Sequence, residues 1–246
     1  MAKPKILVVD DEVLNVELLD GMLSHDYTVI KAFNGSDALI EIGKSLPDLI
    51  LLDIMMPGIN GYDVCKKIKG NEKSMHVPVV MVTALKERAD RIKAIEAGAD
   101  DFLSKPVDVY ELTARVKSLV RVKQYHDALI NEQDQLLIFK SAVDSMDDCV
   151  VITNVSGDIK YINPTFEKKY GYLQGDMIGK HISIIAHPRS PLLIDKESLL
   201  QDTRNEWGGN LTSVNKHGLT LKMSIKCSPI IKDKRRINLI FVMRQV

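Results

Sequence analysis

Short apolar runs alternate with longer amphipathic segments along the first half of the chain. The runs KILVV, TVIKA, LILLD, VVMVT and DFLS are rich in Val, Ile and Leu. Between them, LNVELLDGMLS, SDALIEIGKS, YDVCKKIKG and RADRIKAIEAG carry apolar residues three and four apart. A helical period between β-branched runs predicts strands joined by helices, hence a parallel sheet covered on both faces. Five such units wind most often as an open α/β sheet of flavodoxin-like order 2-1-3-4-5, whose ligands bind outside the carboxyl ends of the strands.

The pattern changes after Asp108. A helical segment runs to about Met146, longer than the last helix of such a sheet requires. Within it Val122, Tyr125, Leu129, Glu132, Leu136, Phe139, Val143 and Met146 follow a three-four spacing that only Glu132 interrupts. A stripe this narrow predicts a two-helix seam and a parallel homodimer, the rival being an amphipathic helix lying on its own second domain. Leu112, Val116 and Leu119 fall on another stripe, expected to pack on the first domain. Farther on, CVVITN and IKYIN flank the turn VSGD, a helical stretch begins at PTFEKKYGY, and three longer strands follow, WGGNLTSVNK, LTLKMSIKCSPI and INLIFVMRQ. Leu219, Leu221, Met223, Ile225 and Cys227 alternate with polar residues, the period of an antiparallel sheet with one wet face. The second half is therefore expected to be an α+β unit.

Composition narrows the classes. The 246 residues hold 33 basic and 33 acidic side chains, shared so evenly that neither half is built to hold nucleic acid by net charge alone. Three cysteines, Cys65, Cys149 and Cys227, lack C-x-x-C spacing and read as buried thiols in a reducing, cytoplasmic setting. No apolar run approaches the roughly 20 residues of a membrane span, so no membrane partner is expected. The polar residues at the predicted strand ends carry the chemistry: Asp10 and Asp11 after the first, Asp53 ending the third, Thr83 ending the fourth and Lys105 after the fifth. Singly, each could be a helix cap or a turn former. Jointly they place an acid pair, a third acid, a hydroxyl and an amine at one sheet edge. Strands one and three are neighbours at the switch point, so the three carboxylates should converge, and a hard cation such as Mg²⁺, which bridges carboxylates to phosphate, would relieve their repulsion. Asp53 then reads as a nucleophile.

The segments ILVVDDE, LILLDIMMPGINGYDV, PVVMVTA and GADDFLSKP resemble the receiver domain of two-component response regulators, especially receivers attached to diguanylate cyclases. The resemblance covers residues 1–123 and implies that Asp53 accepts a phosphoryl group from a sensor histidine kinase. Asp10, Asp11, Asp53 and the backbone carbonyl of Met55 would hold Mg²⁺. Lys105 and Thr83 would contact the phosphoryl oxygens, and Phe102 would turn inward when Thr83 moves. Lys105-Pro106 resembles the family's cis peptide. Met55 and Leu85, two beyond Asp53 and Thr83, carry no group to orient a water, so a long-lived phosphoryl group is expected.

The stretch ITNVSGDIKYINPTFEKKYGYLQGDMIGK, followed by WGGNLTSVNKHG, is similar to PAS domains over residues 140–246, with the extended linker helix at 108–146 overlapping both domains. PAS domains share a fold and not a ligand. The Asn-Cys motif of flavin-photoreactive members is missing. His181 and His187 are the candidate haem ligands, yet a lone His near a loop is more often solvated, and Ile, Val and Leu can fill the core themselves. The sequence shows no kinase ATP-binding motif, GGDEF-like segment or helix-turn-helix, and KDKRR reads as a solvated hairpin turn. The leading reading is a phosphorylation-controlled regulator, its receiver promoting only its own phosphorylation and dephosphorylation, whose dimeric PAS unit binds a downstream protein or senses a small molecule. The alternatives are a transcription regulator with a basic DNA-binding surface that no motif marks, and a PAS ligand sensor under secondary receiver control.

Overall fold

Residues 3–84, 88–187 and 207–246 are described by the computed structural model. They fall into two units, residues 1–132 and 133–246. In the first, β1 (Lys5–Val9), α1 (Val13–Leu23), β2 (Thr28–Ala32), α2 (Gly35–Lys44), β3 (Leu49–Asp53), α3 (Gly61–Lys69), β4 (Val79–Thr83), α4 (Arg88–Glu96) and β5 (Asp101–Ser104) follow in order, and α5 (Val109–Asp144) begins. The strands are parallel in the order β2-β1-β3-β4-β5, as the alternating runs predict.

Successive strand residues point to opposite faces, so each apolar run serves two cores. Leu7, Val9, Ile50, Leu52, Val79 and Met81 pack with Ala38, Val64, Ile68 and Ala94 of α2, α3 and α4. Ile6, Val8, Leu49, Leu51, Val80 and Val82 pack with Val16, Leu19 and Leu23 of α1 and with Leu112, Val116 and Val120 of α5. Leu119 lies partly buried against the same cluster, so the early stripe of α5 does pack on this unit. At about 1.5–3 kcal/mol for each fully buried large aliphatic, these layers fix the strand ends as a rigid edge.

The second unit holds β6 (Cys149–Asn154), β7 (Ile159–Ile162), α6 (Pro164–Tyr170), α7 (Gln174–Met177), a 3-10 turn at Ile182–Ile185, β8 (Trp207–Val214), β9 (Thr220–Lys232) and β10 (Arg235–Gln245). Its sheet is antiparallel, β7-β6-β10-β9-β8. The Asn163 side chain accepts the Phe166 N–H at 3.0 Å, Pro164 pre-sets the first turn, and Gly171 at φ 77° closes α6. Phe166 and Tyr170, one turn apart, stack at 4.3 Å and bury against Met223, Ile225, Phe241 and Met243. The Tyr170 hydroxyl is paired with Ser213 Oγ at 2.7 Å, which offsets the cost of burying it. Within this unit the end of α5 is fastened by Tyr161 Oη to the Asp144 carboxylate and by Asn163 Nδ2 to the Val143 carbonyl at 3.2 Å. Cys65, Cys149 and Cys227 are buried free thiols, each pushed up to about 11 by burial. Among the described residues no helix is long and apolar enough to cross a membrane.

Candidate functional site

Parallel neighbouring strands end side by side, and their ends collect the polar residues. Asp10 follows β1, Asp53 ends β3, Thr83 ends β4, and Lys105 follows β5, where its N–H donates to the Thr83 carbonyl at 2.8 Å. The Lys105-Pro106 peptide is cis. The ammonium of Lys105 donates to Asp10 Oδ2 at 2.7 Å and to Asp53 Oδ1 at 2.6 Å, and the Met55 N–H donates to Asp53 Oδ2 at 2.6 Å. Asp10 is 1% exposed, Asp53 4% and Thr83 5%, so two carboxylates from neighbouring strands share one cation almost out of water.

The electrostatics follow from that burial. Desolvation raises the Asp53 carboxyl above the ordinary carboxylate range, the Lys105 ammonium pulls against it, and the neighbouring Asp10 adds to the rise. Lys105 is raised although burial opposes its charge, because both carboxylates bind its protonated form. Two buried anions held by one cation leave surplus negative charge on an all-oxygen donor set. That suits Mg²⁺, which takes one or two carboxylates, keeps several waters and completes its shell with phosphate rather than an all-protein cage.

Of the three carboxylates expected to converge, Asp10 and Asp53 meet on Lys105. Asp11 is exposed, and among the described residues no three His, Cys, Asp or Glu side chains are gathered as a ready metal cage. Asp11 lies in the bend that follows β1, beyond the strand whose alternation orders the core. Phe102 is half-buried against the core that the sheet forms with α2, α3 and α4, and Met55 is 67% exposed. Leu85 lies outside the described residues. In the second unit His181 is engaged locally: its Nδ1 accepts the Ser183 N–H at 3.2 Å and caps the 3-10 turn.

Two positions escaped the sequence reading. Asn15 Nδ2 donates to both oxygens of Asp10, at 3.0 and 3.2 Å, and the Glu12 N–H adds a further bond at 3.0 Å, fixing that carboxylate. An amide one turn into the helix after an acid pair was the available signal. Gly61 lies so close to the end of β3 that a Cβ there would stand 2.2 Å from the Asp53 carbonyl oxygen, so any side chain would push Asp53 out of place. Gly61 opens α3, and its close approach depends on the fold.

The family model of the response regulator receiver domain matches residues 6–117, and that of a PAS domain matches residues 147–246. Response regulator PleD of Caulobacter vibrioides is 50% identical over 126 residues, 51% of this chain and 28% of that protein. The alkaline phosphatase synthesis transcriptional regulatory protein PhoP of Bacillus subtilis is 34% identical over 184 residues, 74% of this chain and 70% of that one. The solved receiver domain of the Francisella response regulator 1452 is 30% identical, with a TM-score of 0.46 over 48% of this chain and 98% of that one. The chain thus spans 28% of the length of the first relative and 70% of the second.

Proposed function

The chain belongs to the response regulators of two-component systems, and from that premise we propose that Asp53 accepts a phosphoryl group from the phosphohistidine of a sensor histidine kinase. The observation that carries this is the convergence of the Asp10 and Asp53 carboxylates on Lys105 at 2.7 and 2.6 Å. A carboxylate oxygen of Asp53 attacks phosphorus as the P–N bond to the kinase imidazole breaks, and the leaving imidazole takes a proton. Such transfer depends on positioning and charge neutralisation more than on covalent help. Lys105 supplies one cation, and the Thr83 hydroxyl answers the new phosphoryl oxygens, with Phe102 following it inward. Asp10, Asp11, Asp53 and the Met55 carbonyl would hold Mg²⁺, which neutralises phosphoryl charge when bound. Val13, Leu14 and Leu18 of α1, 56, 75 and 54% exposed, offer an apolar face beside the site for a helix of the kinase. Acetyl phosphate with Mg²⁺ should add one phosphoryl group by intact mass, and chelation of the metal should prevent it.

The phosphoryl group should persist, because the exposed Met55 orients no water and Leu85 carries no group to do so. Met55→Asn combined with Leu85→Glu should shorten its lifetime about tenfold or more, as a positioned acid–base group does. A lifetime of seconds that the double variant leaves unchanged would refute this.

The output is proposed to run through a parallel dimer of the PAS unit, acting as a protein-interaction or small-molecule sensing module. Val122, Tyr125, Leu129, Leu136, Phe139 and Met146 expose between 46 and 70% of their surface in the single chain. A three-four apolar stripe left this open supports a helix–helix seam. Leu136→Cys should crosslink to its twin, at a rate that phosphorylation changes. A monomer at all concentrations in both states, with no crosslink, would reject the seam.

A further inference from the structure

Strands β8–β10 carry the charge of this chain unevenly. Residues 207–246 hold eight basic side chains and one acidic one, Asp233, in a protein whose totals are 33 and 33. Strand alternation then sorts them. Leu221, Met223, Ile225 and Cys227 enter the core, so Lys222 and Lys226 face outward and are exposed, and Lys232 follows on the same face. On β10, Arg235 stands opposite Lys232, and Arg244, which also holds Asp148 at 2.8 and 3.0 Å, stands opposite Ser224. Ser224 and Ser228 occupy places between the cations. From Lys222 to Lys232 the row extends about 33 Å at about 3.3 Å per residue.

The far end of this row leaves the sheet. Among the described residues β8 pairs with β9 only as far as Cys227, and β6 reaches β10 only at Asn238. The rungs Ile231↔Arg236 and Lys232↔Arg235 continue as a two-stranded ribbon, closed by Asp233 and Lys234 at φ 50° and 61°, the two left-handed residues of a tight hairpin turn.

We propose that this face binds the phosphate backbone of a B-form DNA duplex, with the β9–β10 ribbon entering the major groove. A two-stranded ribbon fits that groove, and a row of about 33 Å spans about one helical turn. Hydroxyls between cations serve phosphate oxygens, and the row carries no aromatic platform for stacking single-stranded bases and no aromatic anchor for a protein partner. An anionic membrane fits less well, because the exposed Ile231 at the tip lies on the opposite face from Lys232. The surface is independent of Asp53 chemistry, so the proposal stands whatever becomes of the phosphorylation reading.

The test uses the full chain and a labelled duplex of about two turns of arbitrary sequence, followed by anisotropy between about 50 and 200 mM salt. Binding at low salt is expected, with log affinity falling against log salt with a slope of about −4 for four to five phosphate contacts. The triple variant Lys222→Gln, Lys232→Gln, Arg235→Gln should bind at least tenfold more weakly with a slope smaller by about 3. These residues are exposed, so its thermal midpoint should not move. Lys66→Gln, Lys67→Gln, Lys73→Gln removes the same charge from the first unit and should leave binding unchanged. No binding at the lowest salt, equal losses in the two triple variants, or retention on phosphatidylglycerol vesicles or polyglutamate at least as strong as on the duplex would overturn the proposal.

Discussion

Asp53→Asn should leave a folded chain that takes up no phosphoryl group from acetyl phosphate or from a phosphohistidine donor, with or without Mg²⁺. The amide keeps the shape of the carboxylate and can still meet Lys105, but it has no anionic oxygen to attack phosphorus. The variant should also be more stable, and the sign follows from burial. Desolvation holds the Asp53 carboxyl above its ordinary range, so the native state binds its proton more tightly than the unfolded state does. Stability is therefore lost as pH rises from the ordinary carboxylate range through the raised native value, and above that value the loss is complete. Asn removes it and leaves Lys105 in a one-to-one pair with Asp10. A gain of about 1 kcal/mol, or about 2–4 °C in thermal midpoint, is expected at pH 7 and should shrink in acid. Labelling that persists in the variant would remove Asp53 from the mechanism, while a midpoint that falls at pH 7 would show that its carboxylate is net stabilising.

Much of this arrangement was legible because apolar pattern and chain order decide it. ILVV of β1 and LILLD of β3 are buried on both faces, and only a parallel sheet between two helical layers does that to consecutive residues. Once the order 2-1-3-4-5 is granted, Asp10, Asp53, Thr83 and Lys105 must reach one edge. What the sequence left open depends on direction and distance. Asp11 adjoins Asp10 in the chain yet lies exposed in the bend after β1, and the path of that bend is not written in the apolar pattern. Asn15 is one polar residue among several on α1, and nothing local says that its amide spans Asp10. Gly61 is the first residue of α3, and only the packed fold brings it against the Asp53 carbonyl. The hairpin KDKRR was legible as a turn, but the sheet register is needed to set Lys232 and Arg235 on the face that already carries Lys222 and Lys226.

Lys105→Met should produce the opposite stability change from Asp53→Asn and a large one. The ammonium lies 2.7 and 2.6 Å from two carboxylates that are almost wholly buried, so an apolar side chain of similar length leaves two buried anions facing each other. Removing one partner from a buried ion pair costs about 3–5 kcal/mol, which here corresponds to a fall of about 10 °C or more. In the wild type Lys105 is raised, so its contribution is fully present below the unfolded value near 10.5 and is lost as pH climbs through the native value. The deficit of the variant should therefore be widest around neutrality, close above pH 10.5 as the wild-type lysine deprotonates, and narrow in acid as one carboxyl of the pair takes a proton. Mg²⁺ should restore more stability to the variant than it adds to the wild type, because a hard cation neutralises the same pair and binds only the folded arrangement. Phosphoryl uptake should still fall by about 10²-fold even with Mg²⁺ saturating, since the metal does not replace a donor aimed at the transferred oxygens. Thermal scans across pH with and without Mg²⁺ separate the two roles of the lysine: loss of stability without loss of labelling makes it a structural counter-ion, and loss of labelling after Mg²⁺ has restored stability makes it part of the transfer itself.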